Sequence, residues 1–183
     1  MGAAPETPGS NAAASTRPTL DDRLLQAVHD NDLAGAEAAL SEGANPNAGG
    51  YIDGHALMHA AARGRSEMVK LLVERGANVN LYGDEGYTPL VEAVNRGFYE
   101  IAEHLLQHGA DPNQLAAGRT PLMDAAAAGR SDLVRLLLQH GANPNLQSSG
   151  SVLEEARTQR QETRTGQQAY DEIIQMLVEA GAQ

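Results

Sequence analysis

Glu100, His104 and His108 are spaced by four residues, the interval that stacks side chains on one face of an α-helix. Two imidazoles and a carboxylate on one face could hold a zinc ion. The HExxH order of a hydrolytic zinc site is missing, however. His108 also has a counterpart, His140, because LLQHGADPN (105–113) returns almost letter for letter as LLQHGANPN (137–145). A residue that recurs with its surroundings belongs to a repeating unit rather than to a single site. The reading is a solvated helix face, with no metal and no other cofactor. His55 and His59 flank Ala-Leu-Met with no neighbouring Ser or Cys to activate. The chain contains no cysteine, which excludes thiolate ligands, disulfides and a Cys nucleophile. No GxGxxG or GxxxxGK[ST] phosphate cradle occurs. An acid–base pair needs a cleft that separates two pKa values, and the turn that carries Asp84 and Glu85 offers none. No nucleophile, base and oxyanion-donor set can be assembled, so a non-enzymatic protein is expected.

Composition narrows the partners. Asp and Glu number 24 against 13 Lys and Arg, for a net charge of −11 over 183 residues. That balance argues against nucleic acid, whose phosphates must be neutralised by Lys and Arg, and against an anionic membrane surface. It suits a folded protein partner with a basic surface. Residues 1–19 are rich in Ala, Pro, Ser and Thr without periodicity and read as a disordered tail. They lack the basic and apolar segments of a signal peptide, and no apolar run approaches the roughly 20 residues of a membrane span. The expectation is a cytoplasmic protein, monomeric on its own.

The elements that must position any site follow from the repetition. Gly43, Gly76, Gly109, Gly141 and Gly181 each precede Ala, at spacings of 33, 33, 32 and 40 residues. Within one period, Thr88 can cap a helix, Pro89 fits its first turn and Gly97 ends it. A second helix follows, with Ile101, Ala102, Leu105 and Leu106 at helical spacing, closed by Gly109. The apolar positions align as columns: Met68, Ile101, Leu133 and Ile173; then Leu72, Leu105, Leu137 and Leu177; then Val73, Leu106, Leu138 and Val178. A lone helix pair cannot bury both of its sides, so the units must stack into a continuous core. With one Phe and no Trp, that core must be built from small aliphatic side chains.

TPLVEAVNRG and TPLMDAAAAGRSDLVRLLLQHGANPN resemble the ankyrin repeat, with its Thr-Pro-Leu start, Ala-rich first helix, central Gly, and Leu-Leu before Gly-Ala. The resemblance covers residues 20–183 in five units: a cap at 20–47, full repeats at 48–80, 81–113 and 114–145, and an extended cap at 146–183. It implies an all-α solenoid of helix-turn-helix units, β-hairpin-like fingers between them, and a concave protein-binding surface of fingers and inner helices. The first unit puts Asn31 where Gly is usual. The second writes His55-Ala-Leu for Thr-Pro-Leu and so loses its cap. The fifth carries about nine extra residues, expected to lengthen its inner helix by about two turns before Gly166.

Within this frame the fingers are the candidate contact surface. Tyr51, Ile52, Tyr82 and Tyr87 occupy turn positions that the repeat does not require to be aromatic or apolar, and Tyr is enriched at interfaces. Asp53, Asp84, Glu85 and Glu92 surround them, and Arg63, Asn95 and Arg96 lie at the ends of inner helices. The alternative is that Tyr packs finger on finger. Ala127 and Ala128 leave the fourth unit bare, which places the contact on units two and three. Arg157, Arg160 and Arg164 form a local basic face, read first as helix-surface ion pairs with nearby Glu and second as a dock for an acidic partner. The partner could be an enzyme that the chain inhibits or neutralises. A scaffold subunit and a secreted effector are the alternatives.

Overall fold

A computed structural model of the chain describes residues 18–50, 54–146, 150–163 and 165–183. Five helix pairs follow one another: α1 (Leu20–Asp30) with α2 (Leu33–Ser41), α3 (Ala56–Ala62) with α4 (Ser66–Glu74), α5 (Pro89–Arg96) with α6 (Tyr99–Gln107), α7 (Pro121–Ala127) with α8 (Ser131–Gln139), and α9 (Val152–Glu162) with α10 (Gln167–Glu179). The odd helices pack on one another in sequence and so do the even ones, giving an inner and an outer layer. Ala56, Ala60, Ala93 and Ala125 are fully buried between the layers, and their small size lets the helices approach closely.

Fingers join the pairs. Strands β1 (Gly49–Gly50) and β2 (Gly54–His55) pair antiparallel, with Gly49 opposite His55. In the next unit Gly83 N–H donates to Tyr87 O at 2.9 Å across a 3₁₀ turn at Asp84–Gly86. In the fourth, Ala116 and Arg119 exchange both backbone bonds at 2.9 Å. Thr88 and Thr120 accept hydrogen bonds from Val91 N–H and Met123 N–H at 3.3 and 3.2 Å. Both are 2% exposed, so each hydroxyl satisfies an otherwise unpaired helix N–H inside the stack. His55 makes no such cap, as expected from its side chain. Asn31 takes a left-handed conformation (φ 59°), the role Gly serves in the other units.

The first two apolar columns are buried throughout. The third is graded: Leu106 is buried, Val73 and Leu138 are half-buried, and Val178 is 52% exposed. Val178 therefore does not cover the fourth unit as its column predicts. It lies on α10, the last helix described, with no following helix over it.

A fourth column escaped the sequence reading. Three residues before Met68, Ile101, Leu133 and Ile173 stand Arg65, Phe98, Arg130 and Tyr170. Each reaches back to the end of the preceding inner helix. Arg65 donates to Val28 O and His29 O, and the Phe98 ring lies over Gly64. The Arg130 guanidinium lies over Gly97, where a Cβ would sit 1.4 Å from Nη1. Tyr170 O–H donates to Ala127 O at 3.0 Å. Gly97 thus serves twice, as a left-handed helix stop (φ 76°) and as an opening for the next unit. Tyr170 also fixes where the insertion goes. The inner helix α9 has 11 residues against 7 in α7, and α10 has 13 against 9 in α8. The expected two-turn extension of one helix is in fact about one turn on each, because Tyr170 and Ile173 hold the register of α10.

The repeated Gly-Ala-Asn/Asp-Pro/Val-Asn turns carry a second link. The first Asn or Asp of each turn accepts from the N–H two residues on, as in Asp111 with Asn113 at 2.8 Å. The second Asn then accepts from the next unit: Asn47 from Asn78 N–H at 2.7 Å, Asn80 from Asp111 N–H at 2.8 Å, Asn113 from Asn143 N–H at 2.8 Å and Asn145 from Gln183 N–H at 2.9 Å. Asn113 also donates to Gly141 O at 3.1 Å. Since Asn113 makes both bonds across a unit boundary, Asn113→Ala is expected to lower stability by roughly 1–3 kcal/mol in a urea melt. A change below about 0.5 kcal/mol, the level of an uninvolved surface site, would mean that the ladder is incidental to stacking.

Candidate protein-binding surface

The inner face is built from the odd helices, and its side chains follow from register. Gln26, His59, Glu92 and Asp124 occupy one column along it, and Asp30, Arg63, Arg96 and Ala128 another. Two grooves adjoin there. The larger, about 770 Å³, lies between α1 and α3, with Leu25, Gln26 and His29 on one wall and His59 and Arg63 on the other. The second, about 410 Å³, lies between α3 and α5 and is lined by Met58, Ala62, Glu92 and Arg96, again with His59 and Arg63. His59 and Arg63 therefore form the ridge shared by both.

The acidic groups of this face are engaged within the chain. Asp22 accepts from Thr19 N–H and O–H at 2.9 and 2.8 Å, and these bonds hold its carboxyl below the usual range. Asp21 accepts from Asn45 N–H at 2.7 Å. Asp30 is lowered first by its bond from Gln26 and then by His29. Glu92 pairs with Arg96 at 3.0 Å. Further along, Arg119 bridges Asp124 at 2.6 Å and Glu155 at 3.1 Å, tying α7 to α9. Burial opposes its charge, but the two carboxylates outweigh that and raise its pKa.

Of the residues singled out in the sequence, Arg63 and Arg96 meet at the second groove. Asn95 is exposed at the end of α5 and lines neither groove. Tyr82, 52% exposed, and Asp84, also exposed, stand on the finger before α5, with Tyr87 half-buried at its base. None of these three lines a groove. Glu85 lies in the 3₁₀ turn, with its side chain outside what is described, and Tyr51, Ile52 and Asp53 lie outside the described residues. Sequence reasoning missed Leu115, 39% exposed at the position of Tyr82 on the following finger, and it missed the contribution of α1. Both were open to the same alignment by repeat position. Leu115 stands 33 residues after Tyr82, and Gln26 33 before His59.

The histidine pair of the outer layer is not gathered with a third ligand. His104 and His108 lie ring to ring at 4.2 Å, and among the described residues no group of three potential metal ligands occurs. His108 Nδ1 lies 2.8 Å from His104 O, so it donates there. Burial first, then His108 and Lys70, push the His104 pKa below the ordinary imidazole value. Arg157 and Arg160 are paired with Glu154 and Asp171, and Arg164 lies outside the described residues.

A family model described as ankyrin repeats in three copies matches residues 24–116, and one described as an ankyrin repeat matches residues 117–149. The chain belongs to the ankyrin repeat family. Ankyrin repeats are protein–protein interaction modules and are generally non-enzymatic. The second helix pair of the matched span contributes Arg63 and His59, so the groove between α3 and α5 lies wholly within the match, whereas the groove between α1 and α3 adds Asp21 and Asp22 just before it. Residues 150–183 extend beyond the match, yet Ile173 and Leu177 continue its buried columns. Comparison with curated proteins gave no match. Among the described residues no helix is long and apolar enough to cross a membrane.

Proposed function

We propose that this ankyrin protein binds a folded protein partner on its inner face, through the fingers and inner helices of units one to three, without catalysing a reaction. The observations that support this best are Tyr82, exposed on the finger before α5, and the two adjoining grooves between the inner helices of units one to three. The side chain of Tyr82 is large, half exposed and not needed for the core, and aromatic anchors of this kind carry a large share of interface energy. The acidic fingers, with Asp53, Asp84 and Glu85, act mainly on association rate toward a basic rim of the partner.

The test begins with capture of the partner from the native organism and its identification by mass spectrometry. Tyr82→Ala combined with Tyr87→Ala is then expected to weaken the purified pair by roughly thirty-fold. The circular-dichroism melt should stay close to wild type. If affinity survives that double change but falls when Arg157 and Arg160 are neutralised, the contact surface is the extended fifth unit and the finger assignment is wrong.

A further inference from the structure

Net charge alone points to a basic partner, but the pairing on the inner face points the other way at one place. Among the described residues, each carboxylate lining the two grooves already accepts a hydrogen bond from within the chain. Arg96 is neutralised by Glu92. Arg63 is different. It is exposed at the end of α3, and its Nη1 lies 3.1 Å from His59 Nδ1. A guanidinium can only donate, so Nδ1 accepts and His59 is held neutral in this arrangement, with its proton on Nε2. The bond orients the Arg63 fork without compensating its charge, and among the described residues no carboxylate pairs with it. The groove between α3 and α5 therefore combines Arg63, Arg96 and Glu92 into a net positive site, walled on its apolar side by Met58 and Ala62.

We infer that this groove receives an acidic side chain of the protein partner, its carboxylate held by the Arg63 fork. A planar fork already oriented by His59 suits bidentate recognition of a carboxylate. The acidic character of the rest of the chain disfavours a free anion approaching at random. It does not disfavour a protein segment whose remaining residues are neutral or basic, and the Asp21–Asp22 end of the neighbouring groove favours such a segment. The inference rests on the inner-face reading above and adds the chemistry of the residue read there.

The test uses the full chain and a display library of random linear peptides fused through their C-termini, so that only side-chain carboxylates are offered. Selected peptides are expected to carry Asp or Glu at one fixed position. A synthetic, amidated peptide from that set should bind about tenfold more weakly when its Glu is replaced by Gln. On Arg63→Gln, the Glu and Gln peptides should bind alike, and Arg63→Lys should restore part of the difference. Among the described residues Arg63 has no ion pair to lose, so these variants should melt with the wild type. An equal Glu-to-Gln difference on Arg63→Gln, a basic consensus, or no enrichment would overturn the assignment. Peptides without an acidic position that still lose binding on Tyr82→Ala with Tyr87→Ala would overturn it while leaving the inner-face reading intact.

Discussion

Leu105→Ala lowers the stability of this chain by roughly 2–5 kcal/mol, whereas Gln107→Ala two residues away leaves it within about 0.5 kcal/mol. Leu105 is fully buried on α6, and α6 packs against α5 of its own unit and against α4 and α8 of its neighbours. Removing the isobutyl group opens a cavity where three interfaces meet. The surroundings collapse poorly because the nearby inner helices are packed through Ala, which cannot swing into the space. Gln107 is exposed on the same helix and controls for helix propensity. Urea melts of the two variants read the difference directly. Equal, small effects would place Leu105 outside the core and shift the helix phase that all three columns share. The same reasoning applies at Leu137, the next member of the column, fully buried on α8.

The phase was legible because repetition multiplies a weak signal. One helix of nine residues offers two or three apolar positions, but Leu72, Leu105, Leu137 and Leu177 occur in step across four units, and burial follows that step. The caps were legible for the same reason, since Thr88 and Thr120 precede Pro at the same register. Three things were not. The division of the nine extra residues between α9 and α10 depends on Tyr170 reaching Ala127 O, a contact 43 positions away that no local pattern announces. The exposure of Val178 depends on what lies beyond it in space rather than on its column. The grooves needed side chains from different units to be placed against one another. Arg63 and Arg96 were picked out individually, but His59, which orients Arg63, was set aside for want of a Ser or Cys to activate, and its partner is a guanidinium one turn on. Net charge misleads for a related reason. It counts Glu92 as available, and the structure has already paired it with Arg96.

Removing residues 147–183 is expected to leave a chain that aggregates or loses helicity. Ile173 and Leu177 of α10 are fully buried, and Val152 and Leu153 of α9 nearly so. They pack on α8 and α7, so the truncation would bare Leu133, Leu137 and Leu122 at once. Burying each such aliphatic side chain contributes about 1.5–3 kcal/mol. Losing four therefore removes an amount comparable with the whole net stability of a domain, about 5–15 kcal/mol. The truncation also deletes Glu155, leaving Arg119 with Asp124 alone, and frees Ala127 O from Tyr170. Terminal units of a stack act as caps through just this kind of cover. Light scattering and far-ultraviolet circular dichroism of the truncated chain check the outcome. A point variant separates the capping from general loss of sequence: Val178→Lys, at the exposed position, should stay soluble with an unchanged melt. Leu177→Lys, one residue earlier and fully buried, should behave like the truncation. A soluble, monomeric truncation that melts like the full chain would show that the fifth unit is an appendage, and that α7 and α8 close the ankyrin stack by themselves.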